Sequence, residues 1–322
     1  MAFLNSETKT LDRAAAISTP KKQTILNTFK RDYQLWIMIL PAIAVVFVFN
    51  YIPMYGIQLA FREYDFSAGL TGGEWVGLKY FEQFVQSHMF VELMRNTILI
   101  SLATILIGFP APIILALLIN QIKWKRAKKT LQTTVYLPHF ISMVVMVGLL
   151  NVLLSPNTGI VGHLMGALGF SDVNLLASTK TFIPVYVLSD IWQHVGWNSI
   201  IYLAALSSVD PQLYDSAKMD GANRWQIIRN VELPAIIPTI IILLILNMGS
   251  IISTGFEKIF LMQNTLNLPI SEVIETYVYK IGIISNQFSY AAAIGLFNTL
   301  INFTLLLLMN YIAKRVSNIS LW

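Results

Sequence analysis

The sequence predicts an all-α integral membrane protein that crosses the bilayer six times and keeps both termini in the cytoplasm. Three observations support this fold class. Of the 322 residues, 55% are hydrophobic and only 12% are charged, about half the charged share of soluble domains. Six apolar segments are long enough for the hydrocarbon core, which requires about 20 residues. The basic residues are concentrated in alternate connections between these segments, as the positive-inside rule requires.

The chain divides into a polar, basic tail, residues 1–33, and a transmembrane domain, residues 34–322. The apolar run that follows the tail is too long for a signal peptide, whose apolar part has about 7–15 residues, so we expect a retained membrane anchor. The predicted spans lie near residues 35–60, 97–120, 131–154, 182–206, 235–254 and 289–312. Prolines within these spans are expected to kink the helices, because neighbouring helices can satisfy the freed carbonyls.

Charge distribution fixes the orientation and excludes one class of function. With the N-terminus inside, most of the 22 Lys and Arg residues lie in the tail, after spans two and four, and at the C-terminus. The net charge of +5 therefore fits membrane topology better than nucleic-acid binding. The absence of cysteine excludes disulfides and thiolate metal sites, and no metal site is predicted.

Two outer connections carry apolar side chains at helical spacing, in "LKYFEQFVQSHMF" after Gly77 and in "PISEVIETYVYKIGI" before span six. We expect helices that lie on the bundle. The same surface could receive an extracellular partner, and the two interpretations are compatible.

The connection after span four, residues 207–234, is unusually polar for so apolar a chain. Asp210 followed by proline is a helix start, because it combines an N-cap acceptor with proline at the first helical position. Gly221 can adopt the left-handed conformation that ends a helix, and Pro234 marks the entry into span five. The result is a helix–turn–helix knob, residues 214–229. These residues alone leave open whether the knob binds another protein or merely connects two spans.

This connection resembles the EAA loop of the permease subunits of ABC importers, in which E-A-A-x-x-x-G-A is followed by nine variable residues and I-x-L-P. Here the pattern reads Asp215-Ser216-Ala217, Gly221-Ala222 and Val231-Glu232-Leu233-Pro234, with Asp for Glu and Ser for Ala as departures. The resemblance extends over roughly residues 75–312, with a MetI-like type I core at about 92–312. The phrases "GLKYF", "YLPHFIS", "FEKIFLMQN" and "SLW" are most similar to the LplB-like polysaccharide and oligosaccharide permeases.

The resemblance implies that the loop is a coupling helix for a separate ATPase and that the chain transports oligosaccharides or polysaccharide fragments. No G-x-x-x-x-G-K-[ST] phosphate loop occurs in the sequence, so the chain is expected to be a transport subunit without a cofactor, while partner ATPases bind ATP and Mg²⁺. The expected partners are two ATPases, a second permease in a heterodimer, an extracellular solute-binding lipoprotein and membrane lipids, in the cell membrane of a Gram-positive bacterium. By motif position and placement, the ATPase-coupling residues are Asp215, Ser216, Ala217, Asp220, Gly221, Ala222, Trp225 and Arg229.

Span four carries polar side chains at the spacing of one helix face: Asp190, Gln193, His194, Trp197 and Asn198. A charge at the centre of a span costs about 2.5–3.5 kcal/mol on insertion scales, so such residues normally face the bundle interior or a wet cavity. The face either lines a translocation pathway for a sugar, or Asp190 and His194 satisfy each other or a neighbouring helix. Asn247 and Asn298 are further pathway candidates, although hydrogen bonds between helices are their simpler interpretation. His139 is expected to be structural.

The sequence disfavours two other classes of function. A membrane-embedded enzyme is disfavoured because the four histidines are scattered and no H-E-x-x-H or G-x-S-x-G motif occurs. A secondary sugar transporter would usually show inverted repeats and would not need a surface for an ATPase. Co-purification of an ATPase and a second permease would separate these alternatives.

Overall fold

The computed structural model describes residues 33–67, 69, 72–156, 158–167, 174–253 and 255–317. Apart from Tyr33, the predicted tail lies outside the described residues, and so does the C-terminal "SLW" phrase. Within the described part there is no β-sheet, only two isolated antiparallel bridges, Arg62 with Trp75 and Asp65 with Gly69. The chain divides after Ile57 into two compact units, which are described separately.

The first unit contains an apolar helix. It comprises α1 (Tyr33–Val46), a π-helical turn (Phe47–Tyr51) and α2 (Ile52–Met54), and a 3-10 turn (Tyr55–Phe61) continues it into the second unit. Pro41 lies inside α1 without ending it. This segment contains the predicted first span.

The second unit is built from fourteen described helices. In chain order they are α3 (Lys79–Gln86), α4 (His88–Ala103), α5 (Pro110–Asn120), α6 (Lys125–Tyr136), α7 (Met143–Leu153), α8 (Ile160–Ala167), α9 (Phe182–Ser207), α10 (Pro211–Met219), α11 (Arg224–Ile227), α12 (Leu233–Met248), α13 (Phe256–Met262), α14 (Leu268–Ser271), α15 (Ile274–Tyr279) and α16 (Phe288–Ser317). π-helical turns occur at Thr104–Gly108, Ile228–Glu232 and Lys280–Ile284, and a 3-10 turn at Leu137–Phe140.

By length and composition, the described residues contain four helices that could cross a membrane: Tyr33–Phe61, His88–Asn120, Arg224–Met248 and Phe288–Arg315. A fifth would be the pair Lys125–Phe140 and Met143–Leu153, which is bent by 98°. The bend occurs where Ser142 caps α7 by accepting a hydrogen bond from the Val145 amide. The predicted fourth span corresponds to α9, which has 26 residues but is interrupted by polar side chains. The prediction of six spans is therefore supported only in part.

The predicted entry into span five at Pro234 falls in the first turn of α12. The second arm of the knob continues without a break into the predicted span five, because α11, the π-helical turn Ile228–Glu232 and α12 form one helix. Proline lacks an amide hydrogen and crowds the carbonyl four residues before it. The wider π-helical turn immediately before Pro234 accommodates both effects, so the helix is adjusted and not ended.

Close packing around α9 positions the centre of the second unit. Gly196 lies against α6, and a Cβ at this position would collide with the Val135 carbonyl, so only glycine allows this approach of the two backbones. α9 also packs along α5 and α12. Nearest the knob, an apolar cluster joins these three helices through Ala116, Leu117, Tyr202, Leu206 and Ile236.

Helices are present in both connections where they were predicted, and α4 fixes those of the second connection to the bundle. The Asn96 side chain donates hydrogen bonds to the carbonyls of Pro269 and Glu272, both at 3.0 Å. The neighbouring Thr97 hydroxyl accepts one from the Ile274 amide at 3.1 Å. Both side chains are fully buried, so this polar pair holds α14 and α15 in place.

Candidate functional site

The first arm of the knob is α10, and local hydrogen bonds define both of its ends. The Asp210 side chain accepts a hydrogen bond from the Gln212 amide at 2.9 Å. At the other end the Ala222 amide donates to the Ala217 carbonyl and the Gly221 amide donates to the Lys218 carbonyl. This is a Schellman motif, and Gly221 supplies its left-handed residue with φ +75°.

The second arm begins at a capping box. The Gln226 amide donates to the Asn223 side chain at 2.9 Å, while the Asn223 amide donates to the Gln226 side chain at 2.7 Å. The two orphan amides at the start of α11 are thereby satisfied. The predicted helix–turn–helix geometry of the knob is confirmed.

The knob presents an exposed surface of mixed character. Met219 and Trp225 are 88% and 69% exposed, and Asp215 forms an exposed ion pair with Lys218 at 2.9 Å. Large exposed apolar side chains beside charges are typical of protein interfaces. Of the predicted coupling residues, Ala217 and Ala222 are half-buried, and the exposed ones are Asp215, Ser216, Asp220, Gly221, Trp225 and Arg229.

Where the knob meets the bundle lies a buried carboxylate that the sequence pattern did not single out. Glu232 is fully buried, and its Oε1 accepts hydrogen bonds from Asn120 Nδ2 at 2.6 Å, Gln121 Nε2 at 2.9 Å and the Tyr214 hydroxyl at 3.4 Å. Burial raises the pKa of Tyr214, and the nearby Glu232 charge raises it further, so the phenol remains a donor. In the sequence, Glu232 occupies only a variable position of the EAA pattern.

A cavity of about 690 Å³ lies between α9, α12 and the π-helical turn Thr104–Gly108. Five of the predicted pathway residues line it: Asp190, His194, Trp197, Asn198 and Asn247. The rest of its wall is largely apolar, including Phe109, Pro112 and Tyr202. An apolar cavity with a few convergent polar groups is the usual form of a small-molecule site.

Two predicted pathway residues, Gln193 of the span-four face and Asn298 of span six, do not line this cavity. Gln193 is 2% exposed and donates to the Ile141 carbonyl at 2.9 Å, so it satisfies the backbone at the bend between α6 and α7. It stands at one edge of the polar stripe, where the helical rotation directs it toward α7 and not toward the cavity. Asn298 lines a separate pocket of about 560 Å³, together with Tyr279.

Asp190 has a partner that sequence reasoning missed. Lys258 Nζ lies 3.3 Å from its Oδ1 and also donates to the Tyr186 carbonyl at 3.0 Å. His194 Nδ1 lies 3.3 Å from the same Oδ1. Asp190 thus lines the cavity and is also bonded to two neighbours, so the two interpretations of this face are compatible. Burial lowers the pKa of Lys258, while the Asp190 carboxylate opposes that effect.

An aromatic stack forms part of the same wall. The rings of His139 and Trp197 are nearly parallel, with centroids 4.4 Å apart, and the His139 and His194 rings meet edge to face at 5.5 Å. The stack holds Trp197, which is 44% exposed, in a fixed orientation. This stacking agrees with the structural role expected for His139, which stays a prediction.

Comparison with known proteins places this geometry in context. A family profile described as "Binding-protein-dependent transport system inner membrane component" matches residues 108–318, a stretch that includes the knob and most of the cavity wall. Among the described residues, no group of three or more His, Cys, Asp or Glu could hold a metal ion.

Several relatives are similar over nearly their whole length. The polygalacturonan/rhamnogalacturonan transport system permease protein YteP of Bacillus subtilis is 41% identical over 295 residues, which are 92% of each chain. Protein LplB of Bacillus subtilis is 38% identical over 302 residues, 94% of this chain and 95% of that one. A solved bacterial ABC transporter involved in import of the acidic polysaccharide alginate is 39% identical with a TM-score of 0.84, covering 92% of this chain and 100% of the other. The alginate transporter has also been solved in complex with an alginate pentasaccharide-bound periplasmic protein.

Proposed function

The chain belongs to the family of binding-protein-dependent transport system inner membrane components, the permeases of ABC importers, and we propose that it carries oligosaccharides or polysaccharide fragments. Uronate-containing glycans are the first to test, because one relative is named for polygalacturonan and another imports alginate. In this role the chain forms half of the pathway and hydrolyses nothing itself.

One observation supports this function above the others: a single helix connects the knob to the cavity. Residues Arg224–Met248 are continuous, with exposed Trp225 in the knob and Asn247 in the cavity wall. At 1.5 Å per residue the two lie about 33 Å apart along the helix. A force applied to the knob can therefore reach the cavity through one rigid element.

We further propose six spans with both termini in the cytoplasm. In this topology α9 is a span whose polar residues are tolerated because most of them face the cavity and Gln193 is bonded to the Ile141 carbonyl. The bent pair α6–α7 is another span. The basic connection that contains Lys128 lies beside the knob, since Asn120 contacts both Lys128 and Glu232. This proximity agrees with a cytoplasmic side that carries both segments. The relatives from Bacillus subtilis favour a Gram-positive cell.

The complete importer would contain two ATPases that hold ATP and Mg²⁺, a second permease and an extracellular solute-binding protein. ATP binding would draw the ATPases together, and the knob would pass that movement to α12. The bundle would then alternate between two states that open the cavity to opposite sides. In the cavity, Trp197 would stack on the CH face of a sugar ring, and the amides of Asn198 and Asn247 would bind hydroxyl groups.

Reconstitution tests this function directly. The chain would be co-expressed with a candidate ATPase, sister permease and solute-binding protein, and purified into proteoliposomes. We expect ATP-dependent accumulation of an alginate pentasaccharide or an oligogalacturonate that requires the solute-binding protein. Uptake that runs on an ion gradient without ATP would support a secondary transporter instead, and hydrolysis of the glycan would support an enzyme.

Replacing Trp197 and Asn198 together with alanine is expected to raise the glycan concentration for half-maximal uptake by about 10- to 30-fold, because each lost contact is worth roughly 1 kcal/mol. A shift in preferred chain length would have the same cause. The measurement is uptake of oligogalacturonates of graded length into proteoliposomes. Trp192→Ala is the matched control, since Trp192 is on the same helix, similarly exposed, and lines a different, apolar pocket. Equal behaviour of both variants would make the span-four face structural.

A further inference from the structure

The Glu232 carboxylate is buried without a countercharge. Among the described residues no basic side chain forms an ion pair with it, and its Oε2 accepts no hydrogen bond. Lys128 joins the group only through Asn120, to whose Oδ1 it donates at 3.3 Å. A buried charge is unfavourable unless it is paired or well hydrogen-bonded. All the compensation at Glu232 therefore comes from neutral donors on other elements.

These donors tie three elements to one oxygen. Asn120 and Gln121 stand at the end of α5, Tyr214 lies in the first arm of the knob, and Glu232 ends the π-helical turn of the second arm. Hydrogen bonds to an ionised acceptor are roughly twice as strong as neutral ones. Movement of either arm relative to α5 would break at least one of them in a buried, low-dielectric setting, so the three elements move together.

The helix held in this way continues to the cavity. Pro112 lines the cavity and lies about 12 Å along α5 from Asn120, at 1.5 Å per residue. Just before Pro112, the π-helical turn Thr104–Gly108 forms another part of the cavity wall. α5 is thus a second connection between knob and cavity, and its main polar link to the knob is the Glu232 carboxylate.

We propose that Glu232 is a positioning residue that transmits movement of the knob through α5 to the cavity wall. This role rests on the proposed function and adds a second path of force to it. α12 is covalently continuous with the knob and moves with it in any case, whereas α5 is joined to the knob only by side-chain contacts, of which the hydrogen bonds to the ionised carboxylate are the strongest. Loss of the carboxylate should therefore uncouple ATP hydrolysis from transport without abolishing either assembly or hydrolysis.

The test is the number of glycans transported per ATP hydrolysed, measured on the assembled importer in proteoliposomes with an alginate pentasaccharide or an oligogalacturonate as probe. For Glu232→Ala we expect the ratio to fall about tenfold, within the range usual for coupling between distant sites, while glycan-stimulated ATP hydrolysis persists. Glu232→Gln, which keeps a neutral acceptor, should give an intermediate ratio. Combining Glu232→Gln with Asn120→Asp exchanges the two roles, because residue 232 then donates and residue 120 accepts beside Lys128. This double variant should restore much of the transport-to-hydrolysis ratio.

The ratio is counted per assembled complex, so a residue with a merely structural role would lower the yield and leave the ratio unchanged. Glu272→Ala is the matched control. Glu272 is also a buried carboxylate (7% exposed), but it lies between α14 and α15 and forms an ion pair with Lys280. An unchanged ratio in both Glu232 variants would overturn the proposal, and so would a lowered ratio in Glu272→Ala. If the unmodified complex transported no glycan with ATP, the proposed function itself would fail, which is a distinguishable result.

Discussion

Replacing Gly221 with tryptophan is expected to abolish ATP-dependent uptake while the membrane bundle stays folded. Gly221 has φ +75°, and a Cβ added there would meet no other atom within 4 Å. The strain of a left-handed non-glycine residue is about 1–2 kcal/mol and falls on an exposed turn, not on the core. The indole would project from the knob at the bend where an ATPase must approach closely, so we expect at least about a hundredfold loss of uptake.

Three measurements on one preparation check this expectation: insertion and thermal stability of the permease, co-purification of the ATPase, and glycan uptake. Gly77→Trp is the matched control, because Gly77 also has positive φ (+59°) and an unobstructed Cβ direction but lies in a predicted outer connection. The control should retain the ATPase, and Gly221→Trp should lose it or lose transport-stimulated hydrolysis. Normal uptake and normal transport-stimulated ATP hydrolysis in Gly221→Trp would show that the knob is not part of the ATPase interface.

The knob could be predicted almost residue by residue because its signals are local. Asp210, the following proline and Gly221 each act within a few residues, through the cap, the fixed φ of proline and the left-handed turn. The continuation of the second arm into span five could not be predicted in the same way. Proline usually disrupts a helix, and the π-helical turn that accommodates Pro234 here leaves no distinctive residue pattern.

The contacts that give the site its chemistry are not local, and this is why they were missed. Lys258 lies 68 positions from Asp190, and Glu232 lies 112 positions from Asn120. Composition and periodicity place each of these residues in its segment but say nothing of which segments meet. Lys258 lies in the connection between the predicted spans five and six, and only the packing of α13 against α9 shows that it is buried.

Asp190 and Lys258 should respond unequally to neutralisation, although they form one ion pair. Removing one member of a buried pair typically costs about 3–5 kcal/mol, because the other charge is left without compensation. The Lys258 side chain is 2% exposed, whereas that of Asp190 is 29% exposed and faces the cavity. Asp190→Asn leaves a buried ammonium and should reach this range. Lys258→Met leaves a carboxylate that keeps His194 as a partner and has access to the cavity. The loss of stability in Lys258→Met should therefore be smaller than this range.

The free energy of unfolding of each single variant is measured in a detergent titration. The double variant Asp190→Asn with Lys258→Met then shows whether the loss comes from an uncompensated charge or from packing. If the loss comes from an uncompensated charge, removing both charges should recover most of it, since neutral replacement of a buried pair is often nearly neutral. Lys79→Met with Glu63→Gln is the matched control, because this pair is exposed (53% and 58%) at 3.2 Å and should be worth only about 0–1 kcal/mol. A double variant no more stable than Asp190→Asn would show that Lys258 acts by packing. Equal losses in the two single variants would show that the cavity does not hydrate Asp190, and the cavity would then be an apolar void in place of a wet pathway.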